Sequence, residues 1–249
     1  MRPHSCAVAV VVLIVALTGG KDESAAKKPA ASSTTAPTTQ TTAAAPAAEL
    51  PTPPPGKTLT EPTECPPTDG AAERVQKFAG EPPTCINDAA SYTATFDTTE
   101  GSFTATLDAK KAPIAVNNFV VLSRFRFYDG VPFHRIITGF VIQGGDGDGP
   151  PWGNNDLGYS FKDELPDSSD AYTDYSLAMA NSGANTNGSQ FFVVLPGGGS
   201  KLQPLYTRFG EVTEGRDVID KIGAMSDGSE QPTKAVVINS VTINSEPAS

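Results

Sequence analysis

Arg135 is the side chain whose type and setting point most directly to chemistry. It stands in the run Phe133-His134-Arg135-Ile136-Ile137, with Phe140-Val141-Ile142-Gln143-Gly144-Gly145-Asp146 close behind. A guanidinium is permanently charged and carries five donors, and burying it unpaired is costly. Among these apolar neighbours it has three options. It pairs with a carboxylate, it faces a groove that takes a ligand, or its stem lies on apolar surface with its head in water. The rest of the inventory is poor in reactive groups. Of two His, His4 falls in an N-terminal targeting segment, and there are three Cys. No H-E-x-x-H, G-x-S-x-G or C-x-x-C pattern occurs. A metal centre needs more ligands of the right kind. Hydrolytic or redox chemistry, a metal site and a cofactor are therefore not expected.

A second run shapes the reading. From Ser176 a strand, Leu177-Ala178-Met179-Ala180, enters a polar loop of small residues, Asn181 to Ser189. It leaves as the apolar strand Gln190-Phe191-Phe192-Val193-Val194. FHRII-GF--QGGD in the first run and LAMAN-G-NTNGSQFF in the second resemble the cyclophilin family of peptidyl-prolyl isomerases. The resemblance covers about Tyr92 to Ile243.

Such a family implies a reaction that needs no nucleophile, base or metal. Rotation about the bond before proline costs about 18–20 kcal/mol, because the planar amide has partial double-bond character. In the twisted transition state the imide nitrogen becomes pyramidal and gains a lone pair. A fixed donor near that nitrogen stabilises the twisted state more than either planar one. A 10⁴-fold acceleration takes about 5.5 kcal/mol. One charge-assisted hydrogen bond in a partly dry groove, with positioning, is of that order.

The resemblance implies Arg135 as the catalytic donor and Phe140, Val141, Phe192 and Leu202 as the proline pocket. Gln143 would bond the substrate backbone and orient Arg135. Ala180 and Asn181 would line the groove, with the Asn181 backbone pairing with the peptide, and Gln190 would border the next pocket. Tyr206 stands where many members carry a groove His. Plain readings sit beside these: Phe140 and Phe192 as core residues, Gln143 as a polar sheet end. His134 alternates with Arg135 and so points away from it. Strict alternation also puts Phe140 and Gln143 on opposite faces, so bringing both to Arg135 calls for a bulge or strong twist near Gly144. Departures from the family pattern are Thr138 for a common Pro, a Gly-rich stretch from Pro196 to Leu205, and Lys201 where some members place Trp. The Asp146 to Tyr159 loop is also unusual; its Trp152 covers part of the groove or packs on its own loop.

The elements that must position these residues are mostly strands. Val131 to Ile137 and Phe140 to Gln143 read as a hairpin about Thr138-Gly139. Tyr92–Asp97, Ser102–Leu107, Ser176–Met179, Gln190–Val194, Tyr206–Val212 and Val236–Ile243 are further strands. Pro113 opens a helix that turns Val116, Phe119 and Val120 inward. A second helix, Gly215 to Ile222, turns Val218, Ile219 and Ile222 inward and stops at Gly223. The count is eight strands and two helices, hence a mainly β fold. The resemblance implies a closed eight-stranded antiparallel barrel capped by the two helices; periodicity alone allows a β-sandwich equally.

Outside that domain, expected at 91–249, three segments precede it. Residues 1–20 read as a signal peptide or N-terminal anchor: Arg2, an apolar run from Ala7 to Leu17 too short to span a bilayer, then small residues. Gly20 stands where a lipobox needs Cys. Residues 21–57, rich in Ala, Thr and Pro, read as a disordered linker. Residues 58–90 form a short appended element, with a weak helical pattern from Gly70 to Phe78 and Cys65 and Cys85 flanking it. In an oxidising compartment an even pair reads as a disulfide; two free thiols are the alternative. The net charge of −10 argues against nucleic acid as a partner. The expectation is an extracytoplasmic, monomeric protein, secreted or tethered to the outer face of the cytoplasmic membrane. It would meet the membrane only through the N-terminal segment and act on proline-containing segments of unfolded or envelope proteins. A proline-motif-binding module or holdase with little turnover, and a purely structural barrel, are the competing readings.

Overall fold

The computed structural model describes residues 47–154 and 156–247; residues 1–20 and most of the expected linker lie outside them. Two short strands, β1 (Lys57–Thr58) and β2 (Val75–Lys77), pair in parallel. The main sheet contains β3 (Ser91–Thr98), β4 (Gly101–Leu107), β5 (Val131–Pro132), β6 (Arg135–Ile137) and β7 (Val141–Gly144). It continues with β8 (Ser176–Met179), β9 (Phe191–Val194), β10 (Arg208–Glu214) and β11 (Val237–Glu246). Its order is β5-β11-β3-β4-β10-β8-β9-β7-β6, and every pairing is antiparallel.

The fold is mainly β, as expected, but this curled sheet has nine strands rather than eight. The run Val131 to Ile137 is split, because its two halves serve different partners. Val131 and Pro132 pair with β11, whereas Arg135 to Ile137 pair with β7. Between them Phe133 N donates to Val236 O at 2.9 Å and His134 N to Gln143 O at 3.0 Å.

Alternation drives the hairpin of β3 and β4. Tyr92, Ala94 and Phe96 on one strand and Phe103, Ala105 and Leu107 on the other are buried. Phe96 lies opposite Phe103, with ring centroids 4.4 Å apart. Burying each such ring contributes about 1.5–3 kcal/mol relative to exposing it. Val116, Phe119 and Val120 of α1 (Pro113–Arg124) enter the same core, as their spacing predicts. The first residues of α1 receive no cap from their own flank. Instead Glu164 accepts from Ile114 N at 3.0 Å and Ala115 N at 2.9 Å. That carboxylate satisfies two orphan donors and sits at the positive end of the helix. In α2 (Arg216–Gly223), Ile219 and Ile222 are buried and Val218 packs against the core. Gly223 is the last helical residue rather than a stop beyond it, and it lies against the Leu195 side chain.

The expected helix from Gly70 to Phe78 is not formed. Three apolar residues are a weak drive for a helix, and extended backbone finds better partners here. Val75 N bonds Phe125 O at 2.9 Å and Phe78 N bonds Leu157 O at 2.9 Å. Arg74 directs its guanidinium to carbonyls of Phe127, Pro54 and Gly147. Cys65 and Cys85 are joined in a disulfide, Cα atoms 5.4 Å apart. Asn117 of α1 holds the segment by accepting from Cys85 N at 2.7 Å and donating to Pro83 O at 2.9 Å. The expected disordered linker does not run as far as residue 57, because residues 47–57 find backbone partners on this unit: Ala48 N bonds Pro232 O at 2.9 Å and Gly56 N bonds Gln76 Oε1 at 3.1 Å. Among the described residues no helix is long and apolar enough to cross a membrane.

Candidate active site

Four strands build the site on the outward face of the sheet. Their register sets one row: Arg135 of β6 opposite Gln143 of β7, Gln143 opposite Phe192 of β9, and Phe192 opposite Ala178 of β8. A second row sets Ile137 opposite Val141 and Val141 opposite Val194. The alternate residues Ile136, Ile142, Phe191, Val193, Leu177 and Met179 belong to the main core. Period 2 thus sorts these near-continuous apolar runs into an inner and an outer set.

The outer set forms a second apolar cluster. Val141, Tyr172, Ala178, Phe192, Val194 and Leu202 are buried in it, and Phe140, Ala180 and Tyr206 pack on its rim. All four expected pocket residues are therefore together. Phe192 and Tyr206 meet edge to face at 5.3 Å. Tyr172 escaped the sequence reading, since nothing in its polar surroundings marks it. Its hydroxyl donates to Tyr206 O at 2.7 Å and accepts from Tyr206 N at 3.1 Å, which fixes the rim.

Phe140 reaches the cluster without the bulge that alternation called for. It lies in the turn between β6 and β7 rather than in a strand, so the pleat does not dictate its side. Phe140 N bonds Ile137 O at 2.9 Å, with Gly139 at φ +67°. Thr138 ties this turn to α2, its hydroxyl donating to Gly223 O at 3.0 Å. The Gly-rich wall also has a cause: a Cβ on Gly198 would collide with the Phe140 carbonyl. Lys201 closes that wall, its Nζ 2.8 Å from Gly139 O and 6.0 Å from the centre of the Phe140 ring.

On the other side of Gln143 lies a polar cavity of about 190 Å³, lined by Gln143, Ala180, Asn181 and Gln190 among others. Asn181 is held by its side chain, which donates to Leu205 O at 2.9 Å and accepts from Gly183 N at 3.2 Å. The two runs are pressed together at Gly145. It has φ +87°, and a Cβ there would come 2.6 Å from Ser189 O.

A chain of polar contacts runs beneath these pockets. Gln190 Nε2 donates to the buried Asp146 Oδ2 at 3.4 Å, and Gln143 Nε2 to Gln190 Oε1 at 3.0 Å. Arg135 Nη1 reaches Gln143 Oε1 at 3.5 Å. Burial pushes the Asp146 carboxyl up, while the Gly153 and Asp148 amides draw it back. The far side of Arg135 is held by an acid the sequence reading missed: Nε donates to Glu230 Oε2 at 2.8 Å. Glu230 lies in a polar loop without periodicity, and only its charge could have drawn attention to it. Nη2 of Arg135 has no protein partner among the described residues.

His134 turns the other way, as alternation predicts. It is buried, and its ring stacks on Trp152 at 5.8 Å and 6°. Trp152 therefore packs on His134, not merely on its own loop. Burial, helped by the charge of Arg135, pushes the His134 imidazole down to about 4. It is neutral near pH 7 and carries no imidazolium charge there.

Residues 93–243 match the family model for cyclophilin type peptidyl-prolyl cis-trans isomerase/CLD. A probable peptidyl-prolyl cis-trans isomerase A of Mycobacterium leprae is 41% identical over 170 residues, covering 61% of this chain and 92% of the relative. The peptidyl-prolyl cis-trans isomerase A of Mycobacterium tuberculosis is 40% identical over 173 residues, covering 62% and 93%. A crystal structure of a cyclophilin type peptidyl-prolyl cis-trans isomerase from Cryptosporidium parvum is similar at TM-score 0.57 and 31% identity. It covers 63% of this chain and 99% of that one. A second structure of that protein, in the presence of the dipeptide Ala-Pro, is similar at TM-score 0.56 and 31% identity, covering 62% and 99%.

Proposed function

This chain belongs to the cyclophilin-type peptidyl-prolyl cis-trans isomerase family, and from that premise we propose how and where it acts. Arg135 is the donor to the imide nitrogen of an X-Pro bond held across β6, β7, β9 and β8. The observation that carries this is the row Arg135–Gln143–Phe192, which puts a guanidinium with an uncommitted Nη2 two strands from an apolar notch. Two strand spacings are about 10 Å, a span that a guanidinium and a phenyl ring shorten from both ends. The notch of Phe140, Val141, Phe192 and Leu202 holds the pyrrolidine ring. Gln143 anchors the substrate backbone, and the Asn181 backbone pairs with the extended peptide. Gln190 and Ala180 border the cavity that receives residues preceding proline. As the amide twists, the nitrogen lone pair meets the Nη2 donor; in either planar state that lone pair is delocalised and accepts poorly. The donor thus favours the transition state over both ground states.

Substrates are exposed X-Pro segments of unfolded or envelope proteins, outside the cytoplasm. The signal-like segment and the Cys65–Cys85 disulfide support that location, since disulfides persist in oxidising compartments. In this reading residues 21–46 tether a monomeric domain. The split strand serves as the seam of an eight-stranded barrel, its halves being β5 and β6, the two ends of the sheet order.

The test is a proline-isomerisation assay on the purified chain with and without Arg135→Ala. A loss of about 10²–10³ in kcat/KM is expected, by analogy with deleting one transition-state donor. An unchanged rate would remove Arg135 from its role. A second reading, a proline-motif binder or holdase with little turnover, draws on the pairing of Arg135 with Glu230. It requires peptide binding without accelerated exchange between isomers.

A further inference from the structure

We propose that Glu230 is a positioning residue for Arg135: its carboxylate holds Nε, so that Nη2 is the nitrogen presented to the reacting imide. This rests on the reading of Arg135 as the catalytic donor. Three observations carry it. Glu230 Oε2 lies 2.8 Å from Arg135 Nε, while Nη1 reaches Gln143 Oε1 at 3.5 Å. Two of the three nitrogens are thereby engaged from opposite sides, and a planar guanidinium held at two nitrogens has no rotation left for the third. Glu230 itself is held in a left-handed conformation, φ +69°. A side chain other than Gly rarely adopts that conformation unless its surroundings enforce it.

The enforcement is visible. Ile136 N, next to Arg135, donates to Glu230 O at 2.9 Å, so the loop is bonded to β6 itself. The loop is closed at its base by the Ser226–Pro232 bridge and by Thr233 N bonding Met225 O at 2.9 Å. The leading segment adds a further tie, Ala48 N to Pro232 O at 2.9 Å. The main chain thus delivers the carboxylate to Nε, while the side chain alone holds the guanidinium.

Both partners are substantially exposed, 35% for Arg135 and 56% for Glu230. Exposed pairs contribute little to stability. Removing this carboxylate therefore tests orientation rather than folding.

The experiment is a double-mutant cycle on the full chain, Glu230→Ala, Arg135→Ala and both, with Glu230→Gln as the conservative variant. Glu230→Ala should lower kcat about tenfold, the scale of a misdirected catalytic group, with KM changed less than about twofold and thermal midpoint unaltered. Glu230→Gln, whose amide oxygen still accepts from Nε, should recover most of that loss. In the Arg135→Ala background Glu230→Ala should change nothing further. The ¹⁵N–¹H signal of Arg135 Nε should be protected in the native and Gln proteins and lost to exchange in Glu230→Ala. An unchanged or faster kcat in Glu230→Ala, or an equal loss with Arg135 already removed, overturns the proposal. If Arg135→Ala itself keeps full activity, the underlying reading has failed too; if it loses activity while Glu230→Ala does not, only this proposal falls.

Discussion

Acid should destabilise this protein through one imidazole. In the unfolded chain His134 takes its proton near the ordinary value of about 6.5, whereas in the folded protein it resists until about 4. Between those values the unfolded state binds the proton and the native state does not. Unfolding stability therefore rises with pH through that window and is lost on acidification. The full difference, about 2.5 pH units, corresponds to roughly 3.4 kcal/mol, of which about 1.4 is lost by pH 5.5 and about 2.6 by pH 4.5. Those are large fractions of a typical stability of about 5–15 kcal/mol. Other groups respond to acid as well. Lys221 and Lys234 hold the Glu100 carboxyl below its usual range, so that group also loses its contribution as pH falls, and burial moves Asp146 the opposite way. A comparison with His134→Phe cancels them. The ring area against Trp152 is kept, and His134 Nδ1 has no partner to lose among the described residues. Urea unfolding followed by circular dichroism at about pH 7 and pH 4.5 is the assay. Native protein should lose about 2–3 kcal/mol more than His134→Phe over that interval. Equal losses in the two proteins would refute the argument.

Two further outcomes follow from the packing. Phe192→Ala should raise KM for X-Pro peptides several-fold and lower unfolding stability by about 3 kcal/mol, the cost of emptying a buried aromatic site; peptide kinetics and urea titration measure the two effects. Replacing Cys65 and Cys85 by Ser opens a loop of 20 residues and should cost about 3 kcal/mol in the chain-entropy model. Because the disulfide lies in the segment packed on α1, kcat/KM of the folded variant should be unchanged, as a peptide assay below its melting point would show.

Much of the site was legible because two long runs carry it, and strand alternation is written into any sequence. Period 2 sent His134 away from Arg135, and Pro113 marked the start of α1. What alternation left open is which of two apolar faces looks inward. Phe191 and Phe192 are the same residue type, and so are Val193 and Val194; only the ladders of β9 with β7 and β8 assign one of each to the core and the other to the notch. Strand length misled in the same way. Phe140 fits a strand by propensity, but the turn bond to Ile137 takes it out of the pleat.

The sequence by itself determined the chemistry at hand: a guanidinium beside apolar strands, a poor supply of nucleophiles, and strands enough for a mainly β fold. The tertiary structure alone decided what surrounds that guanidinium. Glu230 approaches it from 95 residues away, and Glu164 caps α1 from about 50 residues on. The non-helical course of Gly70 to Phe78 likewise answers to carbonyls of distant segments. The physical reason is reach. Periodicity and propensity report on neighbours within a turn or a strand, while these contacts exist only after the sheet has curled and brought remote loops to one rim.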